Sequence, residues 1–292
     1  ASRQPGRRHR QRTDRRGVGD VLQDVRVLRV ASVNVNGIRA AFRRGMGAWL
    51  ASSGPDVLLL QEVRADDEIL AVHLARDEWH LAHEAAEAKG RAGVAIASRL
   101  PMRAIRIGIG TGAPGDSGRW VEADLELPGG EALTVASVYV HSGTAGTASM
   151  DEKYAFLEAV TSRMAAISDD GGLAVVAGDL NIAHREVDLK NWKGNLTHAG
   201  FLPGERAYLD RWFDELGWHD VGRRLGGDGP GPYTWWSWRG KAFDTDAGWR
   251  IDYQMATPRL GERAVKATID RAPSYTERFS DHAPLVVDYD LG

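Results

Sequence analysis

Short apolar runs separated by polar punctuation occupy most of this chain, and their spacing predicts strands more often than helices. Val25 to Val35 reads as a strand. Ile38 to Leu50 reads as an amphipathic helix with Ile38, Phe42, Trp49 and Leu50 on its apolar side, stopped by Ser53-Gly54-Pro55. Asp56 to Val63 reads as a buried strand and Asp66 to Ala75 as a helix. Short strands are predicted at Trp79–His83, Ala92–Ser98, Ala104–Gly108, Trp120–Leu127 and Leu133–Val140. Met150 to Ile167 is the longest predicted helix, with Asp151 and Glu152 suited to the dipole of its first turn. Leu173–Ala177 is a strand and Glu205–Leu216 a helix. Tyr233–Trp238, Trp249–Ala256, Ala264–Ile269 and Leu285–Tyr289 complete the strands. Several neighbours lie too close in sequence for a helical crossover. The pattern therefore predicts mixed or antiparallel sheets packed together with helices outside, an α/β (α+β) fold.

The apolar runs end in polar groups. Leu173–Ala177 stops at Gly178-Asp179-Leu180-Asn181, where period-two geometry turns Asp179 and Asn181 to one side. Asn34 and Asn36 end the first strand, Gln61-Glu62 the second. Asp252 lies in Trp249-Arg250-Ile251-Asp252, and Ser280-Asp281-His282 precedes the last apolar run. These exits are spread from residue 34 to residue 282, so one shared site requires residues 25–292 to form a single catalytic domain.

Composition narrows the chemistry. The 292 residues contain no cysteine, which excludes disulfides and thiolate metal sites and points to a reducing cytoplasm. No apolar run approaches the ~20 residues of a membrane span. The net charge of −3 hides an asymmetry, because residues 1–16 carry seven Arg and one Asp and the remainder is at −9. Residues 1–24 are expected to be a disordered, Arg-rich extension, either a nonspecific nucleic-acid arm or a variable appendage.

Glu62, Asp179, Asn181, Asp281 and Asn34 together supply oxygen donors and no sulfur, which suits a hard divalent cation such as Mg²⁺ or Mn²⁺. His282 adds a group that titrates near neutrality, and Asp252 could fix its orientation. The inventory fits metal-assisted phosphoester hydrolysis. Each element alone is weak: a lone Gly-Asp-x-Asn is more often a turn than a ligand. The weight lies in the ordered set.

That set carries a resemblance. Asn34-Val35-Asn36-Gly37, Leu60-Gln61-Glu62, Gly178-Asp179-Leu180-Asn181-Ile182 and Ser280-Asp281-His282 resemble the ordered signature of the exonuclease III family of apurinic/apyrimidinic endonucleases, in the endonuclease–exonuclease–phosphatase superfamily. Ala183–Asp188, Gly200–Arg206 and Tyr233–Trp236 are similar to the same family and unlike its DNase I-like and inositol phosphatase cousins. The resemblance implies a four-layer sandwich of two packed mixed β-sheets flanked by helices. It implies a monomeric, cytoplasmic, nucleoid-associated enzyme acting on double-stranded DNA with abasic sites or blocked 3′ ends. By the same resemblance, Glu62 is the principal metal ligand, with Asp281 and Asn34 near the metal. Asp179 positions or activates water, Asn181 binds phosphate and orients Asp179, and both stand among the candidate metal residues. His282 contacts the scissile phosphate or acts as base, oriented by Asp252, and Tyr139 reaches the phosphate or leaving oxygen. Trp235, Trp249 and Ile251 wall a slot for a base-less sugar, and Arg119 contacts the DNA backbone. The residues leave open whether Asp179 or His282 takes the proton, and Tyr139 and Arg119 also read as a core tyrosine and a surface ion pair.

The chain departs from the family in places. Ser142 stands in Tyr139-Val140-His141-Ser142-Gly143 where the family has a longer amide. Val63-Arg64 follow Glu62 in place of a small residue and Lys, and Asn36 stands where some members place Asp. These changes bear on rate and metal affinity. Two other functions are compatible with the residues: a different phosphoesterase of the superfamily, and a binding module for damaged DNA without turnover.

Overall fold

The computed structural model describes residues 27–74 and 79–292. The expected Arg-rich extension, residues 1–24, lies outside them. Twelve strands are present among the described residues: β1 (Val27–Asn34), β2 (Val57–Gln61), β3 (His80–Glu84), β4 (Val94–Ser98), β5 (Met102–Ile107), β6 (Trp120–Glu126), β7 (Ala132–Tyr139), β8 (Leu173–Asp179), β9 (His219–Asp220), β10 (Asp252–Ala256), β11 (Ala264–Ile269) and β12 (Leu285–Asp290). They form two six-stranded sheets, in the orders β11-β12-β1-β2-β4-β3 and β5-β6-β7-β8-β10-β9. Each sheet has one parallel pair, β1 with β2 and β7 with β8, among antiparallel neighbours. Parallel pairs need a crossover, and helices supply both: α1 (Ile38–Arg43) with α2 (Met46–Ser53) after β1, and α4 (Ala148–Asp169) after β7. The remaining helices are α3 (Asp67–Leu74), α5 (Trp192–Asn195), α6 (Pro203–Asp210), α7 (Val221–Gly226) and α8 (Pro258–Gly261).

Strand periodicity explains why these runs are apolar throughout. On β2, Val57 and Leu59 face the other sheet, whereas Leu58 and Leu60 face the helices, and all four are fully buried. The inter-sheet layer joins Val30, Leu59 and Ile96 to Val121, Val135 and Val175. On the outer side of the second sheet, Phe156, Leu157, Val160 and Met164 of α4 pack on Val138 and Val176. The result is the expected four-layer sandwich, helices on sheet on sheet on helices.

Polar side chains cross the inter-sheet layer. Gln61 Nε2 donates to Ser137 Oγ at 2.9 Å, and that hydroxyl donates to Leu60 O at 2.8 Å. Gln254 Nε2 donates across to Val30 O and Leu285 O, both at 2.9 Å. Buried amides are costly unless bonded, and these are bonded in only one arrangement of the sheets.

Local corrections have identifiable causes. The helix expected over Ile38–Leu50 is two helices, because Gly45 adopts φ +108 and turns the chain. The helix expected from Glu205 begins at Pro203, and its last turn, Arg211–Glu215, widens to a π-helix. Tyr233–Trp238 forms no strand. Trp235 makes isolated bridges to Trp249 and His282, so the segment is a cross-braced loop rather than a ladder. The strand expected over Trp249–Ala256 starts only at Asp252.

Candidate active site

The polar exits meet at one end of the sandwich. Parallel pairing aligns Asn34 with Gln61 and Tyr139 with Asp179, and antiparallel pairing sets Asp252 opposite Asp179. Gly178 is demanded by this ladder: a Cβ there would lie 1.9 Å from Val138 O. Glu62 and Asn181 lie just past their strands at φ +49 and +50, turns that bring side chains back over the strand ends. Asn34 lies between the halves, its Nδ2 donating to Glu62 Oε1 and to Asp179 Oδ2, both at 2.9 Å.

A buried chain of three groups runs from the second sheet toward the cleft. Asp252 Oδ2 is 2.8 Å from His282 Nδ1, and His282 Nε2 is 3.7 Å from Asp179 Oδ2. The first contact is a hydrogen bond and the second is too long for one. Burial alone would lower the His282 pKa, but Asp252 and then Asp179 outweigh it and push it up to about 10. Burial raises Asp179 to about 7, reinforced by the Asp252 and Glu62 charges and opposed by His282. Asn181 is bound to Asp179 twice, its backbone N–H to Oδ1 at 2.8 Å and its Nδ2 to Oδ2 at 3.3 Å, while Nδ2 also donates to Val140 O at 2.9 Å.

Ligand atoms of Glu62, Asp179 and His282 lie within 4.8 Å of one another, a group that could hold a metal ion. The oxygen donors suit a hard cation, whereas a histidine kept protonated is a poor ligand. Arg64 ion-pairs with the other Glu62 oxygen. The Asp281 carboxylate accepts from Asn36 Nδ2 at 2.8 Å and from the Trp235 indole at 3.1 Å.

Above these groups opens a cavity of about 340 Å³ whose lining includes Glu62, Tyr139, Asp179, Asn181 and His282 at its floor and Trp235, Trp249 and Ile251 at its wall. Ser142 and Asp281 line it as well, with Gly143 and Gly200. The Trp235 and Trp249 rings meet edge to face at 6.4 Å. Burial, then the Glu62 and Asp179 charges, hold the Tyr139 phenol far above its ordinary pKa, so its hydroxyl remains a donor. Arg119 lies behind Tyr139 rather than in the cavity lining: its guanidinium stacks 4.9 Å from the ring centroid and donates to Gly115 O at 2.8 Å and Tyr139 O at 3.2 Å.

Sequence reasoning passed over several supporting groups. His141 Nε2 bonds Asp116 at 2.8 Å, anchoring the Gly-rich loop ahead of Arg119 to the end of β7. Asp188 is buried between Arg250 and Arg223, bracing the segment that carries Ile251 and Asp252. Lys153 and Glu205 form a fully buried pair behind the cleft at 2.6 Å. The Lys153 signal was available: it falls on the apolar stripe of α4, three residues after Met150 and three before Phe156, where a solvated lysine has no place.

The comparisons with known proteins agree with this geometry. The chain is 33% identical over 259 residues to an exodeoxyribonuclease of Bacillus subtilis, covering 88% of this chain and 98% of that one. An AP endonuclease structure from Archaeoglobus fulgidus superposes with a TM-score of 0.80 at 30% identity, covering 90% of this chain and all of that one. A 3′ phosphatase from Neisseria, bound to a product DNA hairpin, gives a TM-score of 0.81 at 26% identity, covering 90% and 99%. Residues 31–282 match the Endonuclease/Exonuclease/phosphatase family, a span that includes every polar strand exit described above. The chain therefore belongs to the Endonuclease/Exonuclease/phosphatase family and, within it, to the exonuclease III group of apurinic/apyrimidinic endonucleases.

Proposed function

We propose that this protein is a Mg²⁺- or Mn²⁺-dependent DNA repair hydrolase that cuts duplex DNA 5′ to an abasic site and also trims blocked 3′ ends by 3′→5′ exonuclease and 3′-phosphatase action. One observation carries the reading: Glu62, Asp179 and His282, the last backed by buried Asp252, line a cavity together with Trp235, Trp249 and Ile251. A polar floor beneath an apolar slot suits a phosphate attached to a sugar that has lost its base. An apolar slot accepts a flipped deoxyribose and excludes an attached base by volume.

In this reading Asp179 accepts the proton of the attacking water, whose oxygen bonds to phosphorus as the bond to the 3′ oxygen breaks. His282 keeps its proton, because Asp252 and Asp179 flank it, and hydrogen-bonds a phosphoryl oxygen with it, while the departing 3′ oxygen takes its proton from solvent. Asn181 orients Asp179 and donates to the phosphate, and Tyr139 donates to the phosphate or the leaving oxygen. Glu62 and Asp179 would hold the divalent cation, with Asn34, Asn181 and Asp281 as further candidate ligands. When bound, the cation withdraws charge from the phosphoryl and leaving oxygens. Ser142 faces the phosphate from the β7 loop, and Arg119 supports Tyr139 and meets the DNA backbone.

Residues 25–292 are proposed to act as one catalytic domain, since the site draws on both sheets. A monomer in the reducing cytoplasm, at the nucleoid, suits a cysteine-free chain with a DNA substrate. Among the described residues no helix is long and apolar enough to cross a membrane.

The deciding experiment is incision of an abasic duplex with Mg²⁺, with and without chelator, beside an intact duplex and a panel of small phosphoesters. Chelator-sensitive cutting that collapses in Glu62→Ala and Asp179→Ala is expected. Cutting that survives either substitution, or a preference for a small phosphoester, would remove the reading. Abasic-DNA binding without turnover in any divalent metal would leave a binding module instead.

A further inference from the structure

The buried pair behind the cleft takes no part in the reaction above. Neither Lys153 nor Glu205 exposes any side-chain surface. Lys153 spends its three ammonium donors on three segments: Glu205 Oε1 at 2.6 Å, Asn181 O at 2.9 Å and Ser142 O at 3.2 Å. Glu205 accepts in turn from the backbone N–H of Gly200 at 2.9 and 2.7 Å and of Leu202 at 2.9 Å. Two side chains thereby tie the loop after β7, the turn after β8 and the turn at residues 198–202. Ser142, Gly143, Asn181, Ala199 and Gly200 of these segments all line the cavity.

The contact is close on every side. A Cβ on Gly143 would meet Lys153 Cδ at 3.2 Å, and one on Gly200 would meet Asn181 O at 3.1 Å and the Trp249 ring at 3.2 Å. A buried ion pair is weak evidence for stability, because an apolar pair of similar volume often serves as well. Helix α4 already has Met150, Phe156, Leu157, Val160, Met164 and Ile167 to bury. What an apolar pair could not provide is a directed bond to each of three loop backbones.

We propose that Lys153 and Glu205 are positioning residues for the cleft, setting the Asn181 turn and the 198–202 turn and so the rate of the chemical step. The inference rests on Asn181 being the phosphate-facing group that orients Asp179. Misplacing a reacting group by about 1 Å costs on the order of a hundredfold in rate, so a loosened support costs a measurable part of that.

The test is a mutant cycle. Lys153→Met with Glu205→Gln removes both charges, and the glutamine keeps an acceptor for the Gly200 and Leu202 amides. The paired variant is expected to unfold cooperatively, to lose about tenfold in kcat on the abasic duplex, and to keep KM within about twofold. In an Asn181→Ala background it should cost nothing further. An unchanged kcat, or losses that multiply across the two backgrounds, overturns the proposal. If the pair does not fold, Glu205→Gln alone goes through the same cycle with the same criteria. Amide exchange supplies a readout independent of turnover: faster exchange at residues 140–143, 181 and 200–202, with the interiors of β7 and β8 unchanged. Unchanged exchange sinks the idea even if the wild type cuts nothing, whereas an inert wild type with faster exchange at these sites sinks only the catalytic reading of the cleft.

Discussion

The two sheets follow one strand plan and end in different chemistry. In the first, β12, β1, β2, β4 and β3 lie side by side with β11 outside; in the second, β6, β7, β8, β10 and β9 do the same with β5 outside. Each plan has its parallel pair in the same place, so the pair Asn34–Gln61 corresponds to Tyr139–Asp179. The next strand begins with apolar Val94 in one sheet and with Asp252 in the other. The first sheet thus offers Glu62, a residue beyond β2, and Asp281 on the approach to β12. The second offers two facing carboxylates, Asp179 and Asp252, toward which His282 reaches from the approach to β12 of the first sheet. Shared topology delivers strand ends to one place, and under the proposed function the residues at those ends divide the labour, Glu62 serving the cation alone and Asp179 serving cation and proton both.

The largest test of that division is kinetic. Asp179→Asn is expected to lower kcat by roughly 10³-fold or more at any metal concentration, as loss of a positioned base does. Glu62→Gln should lower activity by roughly 10²-fold at low Mg²⁺ and recover part of it as Mg²⁺ is raised. Steady-state assays over a metal series measure both, and identical metal dependence of the two variants would erase the distinction.

Stability probes the same correspondence further down the strands. Gly178 matches Leu60, and the second sheet has no room where the first has a leucine. Gly178→Ala should cost about 3 kcal/mol by pushing β8 off Val138 O. Leu60→Ala should cost a similar amount for the opposite reason, a cavity. Urea midpoints decide, and a neutral Gly178→Ala would show that the β7–β8 ladder yields freely.

Protonation separates the halves again. His282 is raised to about 10 from an unfolded value near 6.5, so its contribution is complete below pH 6.5 and is lost as pH rises through 10. In chelator, the stability advantage of wild type over His282→Gln should therefore shrink between pH 6 and pH 10. A constant gap in denaturant titrations would contradict a retained proton.

The smallest expected effect concerns the loops. After β1 the chain carries an amide, Asn36, bonded to Asp281, and after β7 it carries Ser142, exposed in the cleft. Ser142→Asn should add one hydrogen bond to phosphate, about 1 kcal/mol or roughly fivefold in KM for the abasic duplex. An unaltered KM would place the phosphate out of reach of this loop.

Much of this was legible in the sequence, for physical reasons. Strands buried on both faces must be apolar throughout, so Asp179, Glu62 and Asn34 stood out at their ends. Tyr233–Trp238 misled because bulky aromatic residues favour strands and cavity walls alike, and only the bridges to Trp249 and His282 separate the two. The break at Gly45 depended on one backbone angle that the apolar spacing does not encode. Lys153 showed its burial through its place on the apolar stripe of α4, but not its partners, two of which are backbone carbonyls that carry no signature in the side-chain sequence. Asp188 lay inside the family-like segment Ala183–Asp188, but its pairing with Arg223 and Arg250, 35 and 62 residues away, exists only in the fold.

The first strand lies beside the last. β1 pairs with β12 from Val27 opposite Asp290 to Ser32 opposite Leu285, and His282 comes just before that pairing. During synthesis, β1 must therefore wait with one edge unpaired until nearly all the described chain has emerged. His282 arrives only with the strand that joins β1 to β11. A growing chain thus gains the missing edge partner of β1 and the His282 corner of the cleft in one event.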